Sequence, residues 1–164
     1  MISGGQSGVD RAALDFAIAR GIPYGGWCPR GGWAEDQPEP PGLLAAYPCL
    51  RETPSANPAE RTRWNVRDSD ATLILALPAR SGSPGTEATA DAADELGRPL
   101  LRLEAADLLD PGAGARELAA ARASVEDLLG GLPEGCTLNV AGPRGSEAEA
   151  AYARTLQALE LLLG

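Results

Sequence analysis

The chain has 164 residues, of which 44% are hydrophobic and 23% charged, with a net charge of −9; that is the make-up of one globular domain whose core needs no staples. It has no histidine and its 14 basic residues are all arginine, which excludes a histidine base or metal ligand, a Schiff-base lysine and a Walker-type phosphate lysine. The acidic balance argues against a nucleic-acid partner. The lack of a run of about 18 apolar residues argues against a membrane span, and three scattered cysteines, Cys28, Cys49 and Cys136, predict a reducing, cytoplasmic setting with neither a disulfide framework nor a zinc site.

In chain order, Ile2 reads as the end of a first strand. Only Met1 precedes it, so this strand is either unusually short or begins upstream, and apolar residues added ahead of Met1 are expected to raise the melting temperature. Residues 8–20 predict a helix stopped by Gly21, and 24–28 a second strand. Residues 29–48, rich in Pro and Gly, read as a long loop, which in a compact domain is usually functional. A short strand over 49–53 precedes a helix that Asn57 caps, with Pro58 at its first position and Glu60 in the capping-box place, running to about Val66. The almost wholly apolar run 71–77 predicts a strand covered on both faces. A glycine-rich turn over 81–85 leads into a helix ending at Leu96 and Gly97, and 100–103 predicts another strand. A helix over 115–129 carries Leu118, Arg122, Val125 and Leu129 on one side, and 137–140 is the last strand. Ser146 and Glu149 form a capping box for a final helix, on which Tyr152, Leu156, Leu159 and Leu163 share a face. The alternation of strand and helix argues a single α/β domain over residues 1–164, a Rossmann-like parallel sheet with helices on both faces.

Three turns carry candidate chemistry. Ser3, Gly4, Gly5, Gln6, Ser7 and Gly8 follow the first strand and open the first helix, with Arg11 one turn in. Glycines permit close backbone approach, and a helix N-terminus offers unpaired N–H groups and partial positive charge, which together make an anion cradle; the plainer reading is a tight turn. Gly82, Ser83, Gly85, Thr86 and Glu87 repeat the pattern after the longest strand, the plainer reading being a linker with Thr86 as cap. Asn139, Gly142 and Arg144 follow the last strand, Asn139 suited to a ring edge and Arg144 to a bidentate phosphate contact. Ligands of open α/β sheets bind beyond the carboxyl ends of the strands, where all these turns must lie. On the helix after Asn57, Arg63 and Asn65 are candidates for the pocket wall, against an exposed, salt-bridged helix. Trp27 flanks the long loop, as does Trp33, and the acidic pair Glu35–Asp36 is either solvated or set to meet a donor-rich ring.

With those residues assembled, the chain resembles the molybdenum-carrier family, also called molybdenum cofactor carrier proteins, Rossmann-like proteins related to the lysine-decarboxylase-like phosphoribohydrolases. The resemblance rests on the run from Ser3 to Asp15, on Gly25-Gly26-Trp27-Cys28-Pro29, Ala34-Glu35-Asp36 and Leu50-Arg51-Glu52-Thr53. It continues through Arg61-Thr62-Arg63-Trp64-Asn65-Val66, Asp68-Ser69-Asp70-Ala71-Thr72, the turn from Gly82 to Thr86, and Leu138-Asn139-Val140-Ala141-Gly142-Pro143-Arg144. It implies a homo-oligomer, dimer or tetramer. It also implies a pocket for a small phosphorylated ligand, either the molybdenum cofactor (molybdopterin) or a nucleotide, gripped by Gly4 to Gly8 with the Gly82–Thr86 turn opposite. No directly ligated metal is expected. The phosphoribohydrolases carry a Pro-Gly-Gly-x-Gly-Thr-x-x-Glu motif with a catalytic glutamate. Here Gly85-Thr86 match its Gly-Thr, but Thr89 stands at the glutamate position and Glu87 lies two residues early, roughly 200° around a helix. The expected function is therefore a carrier without catalytic residues; the alternatives are a nucleoside-monophosphate N-glycosidic hydrolase using Asp10, Glu87 or Asp36, and a nucleotide-sensing module.

Overall fold

The structure is a computed structural model that describes residues 1–109 and 115–164. The first helix is α1 (Val9–Ala19); β1 (Gly26–Cys28) and β2 (Leu50–Glu52) flank a short helix, α2 (Leu43–Ala46). Then come α3 (Pro58–Arg67), β3 (Ala71–Ala76), α4 (Pro84–Glu95), β4 (Leu100–Glu104) and α5 (Ala105–Leu108), followed by α6 (Ala115–Gly130), β5 (Leu138–Ala141) and α7 (Ala151–Leu163). β1 pairs with β2, while β3 lies between β4 and β5, all in parallel. Ile2 joins the two sheets by single parallel bridges to Gly25 and Asn139. Its N–H donates to Leu138 O at 2.8 Å, and its carbonyl accepts from Val140 N at 3.0 Å. The order across the molecule is thus β2, β1, Ile2, β5, β3, β4, and the expected first strand is a single central residue.

Strand side chains alternate between faces, and the core divides accordingly. Leu73, Leu75, Leu138 and Val140 pack with Val9, Ala13 and Phe16 of α1, Val125 of α6, and Ala158 and Leu159 of α7. On the opposite face, where Asn139 Nδ2 meets Thr72 Oγ1 at 3.3 Å, α4 lies against β3, and α3 against α4 and β1. All six residues of β3 are buried, as its apolar run predicts, and each Leu or Ile there contributes about 1.5–3 kcal/mol. A smaller cluster of Leu14, Cys28, Leu43, Tyr47 and Leu50 ties α1 to α2 and β2, so the 29–48 segment is not all loop.

Two helix starts differ from the sequence expectation. Asn57 Oδ1 does cap α3 by accepting from Ala59 N at 3.0 Å, but Glu60 reaches past it to the N–H of Ser55 at 2.9 Å. No box forms at Ser146 and Glu149: α7 begins at Ala151, after Ala150 in the left-handed region at φ 52° and without a side-chain cap. The Ser146 hydroxyl donates to Glu35 instead, at 2.6 Å. The buried face of α7 is also rotated from the expected stripe, running through Ala151, Thr155, Ala158, Leu159 and Leu162. Tyr152 and Leu156 border an open groove of about 830 Å³ against Asp15 and Phe16.

Candidate functional site

In a parallel sheet every strand ends at the same edge, so the neighbours Ile2, β5 and β3 release their following turns side by side. These turns surround a cavity of about 180 Å³. The first supplies Gln6 and Asp10, the turn after β5 supplies Ala141, Gly142, Arg144 and Glu147, and the start of α4 supplies Ser83, Gly85 and Thr89. Trp33 from the long loop, with Pro58 and Arg61 from α3, closes the fourth side.

The first turn is held from within. Gln6 Oε1 accepts from Ser7 N at 3.0 Å and Glu35 N at 2.9 Å, and Val9 N donates to Pro143 O at 3.1 Å. Ser7 Oγ donates to Glu35 in a short contact and accepts from Gly145 N at 3.0 Å. Gly8, at φ 83°, lets Pro143 O approach to where a Cβ would stand 2.6 Å away. Ser7 and Gly8 therefore stitch turns together; of the N–H groups from Gly4 to Gly8, that of Ser7 is taken up by Gln6 and that of Gln6 faces Asp10. Gly4 is needed for another reason: a Cβ there would stand 1.7 Å from Arg61 Nη1.

Arg61 and Asp10 dominate the electrostatics. Arg61 Nη1 donates to Asp10 Oδ2 at 2.9 Å, with the two side chains 14% and 5% exposed. Burial raises the Asp10 carboxyl above its ordinary value, and the Arg61 guanidinium, the Gln6 N–H and Arg11 pull it back down. Arg61 Nε is buried without an acceptor. Across the cavity, Arg144 Nε donates to Glu147 Oε1 at 2.9 Å and lies 3.7 Å from Glu35 Oε2. Ser83 Oγ bonds Thr86 Oγ1 and Glu147 Oε2, both at 2.7 Å, and Thr89 Oγ1 donates to Gly85 O at 2.9 Å. Gly85, the second residue of α4, has an N–H without an intrahelical acceptor. The walls thus carry two guanidinium groups and the Gly85 N–H next to the carboxylates of Asp10 and Glu147.

Of the residues singled out from sequence, the cavity gathers Gln6, Ser83, Gly85, Gly142 and Arg144, with Gly4, Ser7 and Gly8 packed beneath. Gly82, Thr86 and Glu87 face a separate cavity of about 180 Å³ beyond Ser83, where Glu87 pairs with Arg102 at 3.0 Å. The others stand elsewhere, each for a visible reason. Ser3 Oγ donates to Val140 O inside the sheet. Gly5, at φ 71°, stands where a Cβ would crowd Leu43 and Leu50 at 3.0 and 3.1 Å. Arg11 is taken up by Asp36 at 3.0 Å and by the Gly5 carbonyl. Asn65 bonds both backbone groups of Trp27, locking α3 to β1, and Trp27 Nε1 donates to Asp68. Arg63 pairs with Glu95 at the surface, and Asn139 faces Thr72. The arginine of the pocket wall is therefore Arg61, which stands one helical turn, four residues, before the buried Asn65. That spacing was the available signal, since Arg63 sits about 200° away. Glu35, neither solvated nor free for a ring, cross-links the turns.

The family model described as "Circularly permutated YpsA SLOG family" matches residues 1–163. The chain belongs to that family. The strand order agrees with a permutation: placed ahead of Ile2, β5 and α7 would begin a walk through neighbouring strands β5, Ile2, β1, β2 with one jump to β3 and β4 instead of two. Among solved structures, the chain is similar to "Putative molybdenum carrier protein" from Syntrophus aciditrophicus SB, with 36% identity, 99% of this chain and 93% of that chain covered, and a TM-score of 0.80. No curated protein matches the chain. The single Rossmann-like α/β fold expected from the alternating elements is the fold of this SLOG protein. No described helix is long and apolar enough to cross a membrane.

Proposed function

We propose that this SLOG protein is a non-catalytic carrier whose central cavity takes the phosphorylated end of a small ligand, the molybdenum cofactor (molybdopterin) or, in the same chemistry, a nucleotide. The observation that carries the reading is Arg61: a guanidinium held by Asp10 through one nitrogen, lining the cavity where three turns meet. Arg61, Arg144 and the Gly85 N–H are the donors for that end. The name of the Syntrophus protein supports a molybdenum carrier as the role.

The donor set fits the cofactor's phosphate and offers nothing soft to a bare metal. Cys28 is buried in the cluster around Leu14, and Cys49 and Cys136 border a cavity at the other end of the strands. Metal would arrive inside the cofactor, which supplies its chemistry while the chain binds and shields it. Of the acids a hydrolase would draw on, Asp10 reaches the cavity, whereas Asp36 and Glu87 are paired outside it, and Thr89 stands at the glutamate position. A cytoplasmic dimer or tetramer belongs to the same reading. Native mass spectrometry of the freshly purified protein is expected to show a bound phosphorylated heterocycle, and calorimetry to show binding of molybdopterin or a nucleoside monophosphate. Binding of neither at millimolar concentration refutes the reading, and steady release of free base from nucleoside monophosphates overturns its non-catalytic part.

A further inference from the structure

The central cavity, at about 180 Å³, falls short of the roughly 300–1,000 Å³ of ordinary small-molecule sites. It suits a phosphate-sized group and leaves no room for a fused ring beside it. Trp33 and Pro58 are shared with a second pocket of about 350 Å³, whose other walls include Arg30, Pro38 and Pro40. Together the two reach the ordinary size.

Trp33 differs from the other two tryptophans. Trp27 and Trp64 meet edge-on at 4.7 Å, with Arg51 4.1 Å over the first and Arg67 4.6 Å over the second. Among the described residues, Trp33 has no aromatic or guanidinium partner, and Arg30 makes no ion pair. The residues around Trp33 are nonetheless fixed. Gly32 N donates to Pro29 O at 2.9 Å, Ala34 and Gln37 exchange backbone bonds at 3.0 and 3.2 Å, and Glu35 is anchored on Ser146. The indole is thus half-buried, pre-positioned and uncommitted, bordering both a polar cavity and an apolar, proline-walled one.

We infer that Trp33 is the stacking platform of a ring subsite, on which a planar heteroaromatic ring lies when the ligand's charged end occupies the central cavity, with Arg30 at the rim. The inference rests on the proposed reading of that cavity and adds to it a residue and a ligand shape: a phosphate joined through a short linker to a flat, donor-rich ring. An uncommitted indole suits this role because stacking depends little on ring identity and loses little entropy where the platform is already held.

Two probes separate the parts. Ribose 5-phosphate carries the charged end alone, and guanosine monophosphate adds a ring whose 2-amino-4-oxopyrimidine edge is shared with pterins. Calorimetry on the full chain is expected to show that Trp33→Ala weakens guanosine monophosphate about 10–100-fold, as for loss of one stacked base. Ribose 5-phosphate, which meets Trp33 only at the border of the central cavity, loses no more than a few-fold, and Trp33→Phe restores the nucleotide to within a few-fold. If Trp33→Ala weakens both probes equally, or neither, the ring subsite is wrong while the central cavity stands. If the wild-type chain binds neither probe, the cavity reading fails and takes the subsite with it.

Discussion

Arg61 and Asp10 place opposite charges where water scarcely reaches, so each depends on the other. Removing one partner of such a pair costs about 3–5 kcal/mol because the remaining charge is stranded. Arg61→Met is expected to destabilise the fold by that amount near neutral pH, and adding Asp10→Asn should recover much of it; urea denaturation checks both. The Asp10 carboxyl sits above the ordinary aspartate value, so its contribution is present at low pH and lost as the pH rises through the folded value. The Arg61→Met penalty should therefore shrink as the pH is lowered towards that value. Gly4→Ala should act like a weaker Arg61 variant, because the new methyl occupies the place of the guanidinium. Glu35 has the opposite sign. Burial alone would raise its carboxyl, but hydrogen bonds from Ser146 and Ser7 and the Arg144 charge hold it below 4.5. Its contribution is present above that value and lost as the pH falls through the lower folded one. Glu35→Gln should cost about 1.5–3 kcal/mol at neutral pH, the worth of hydrogen bonds to a charged group. In thermal melts the gap to wild type should close on acidification.

At the scale of elements, what could be read from sequence was what local physics decides. The apolar run Ala71–Ala76 had to be a doubly covered strand, and Asn57 followed by Pro58 had to start a helix; replacing Asn57 by Ala should cost about 1 kcal/mol, read as a lower melting temperature. What could not be read was decided by partners far along the chain. Ser146 and Glu149 have capping-box spacing, yet Glu35, more than a hundred residues earlier, claims the Ser146 hydroxyl and N–H. Of the helical stripe Tyr152, Leu156, Leu159 and Leu163, Leu159 is buried, and the small Ala151, Thr155 and Ala158 are buried with it and Leu162. Small side chains let helices approach closely, an effect that apolar periodicity does not register.

For the whole molecule, the location of the site followed from topology, since neighbouring parallel strands deliver their turns to one edge whatever those turns contain. Which side chains meet there did not follow, because Arg61, on a separate helix, joins Asp10 only in the fold. Gly85 tests the result cleanly. It lines the mouth of the cavity, its φ is not positive, and a Cβ there would meet no atom within 4 Å, so a larger side chain is borne at that mouth without straining the fold. Equilibrium binding of molybdopterin and of guanosine monophosphate to wild type and Gly85→Leu, with melting temperatures measured alongside, is the most direct measurement. Crowding the mouth of the cavity should weaken the bound ligand about 100-fold or more, equivalent to roughly 3 kcal/mol, at an unchanged or higher melting temperature. Undiminished binding by a folded Gly85→Leu variant would contradict the account.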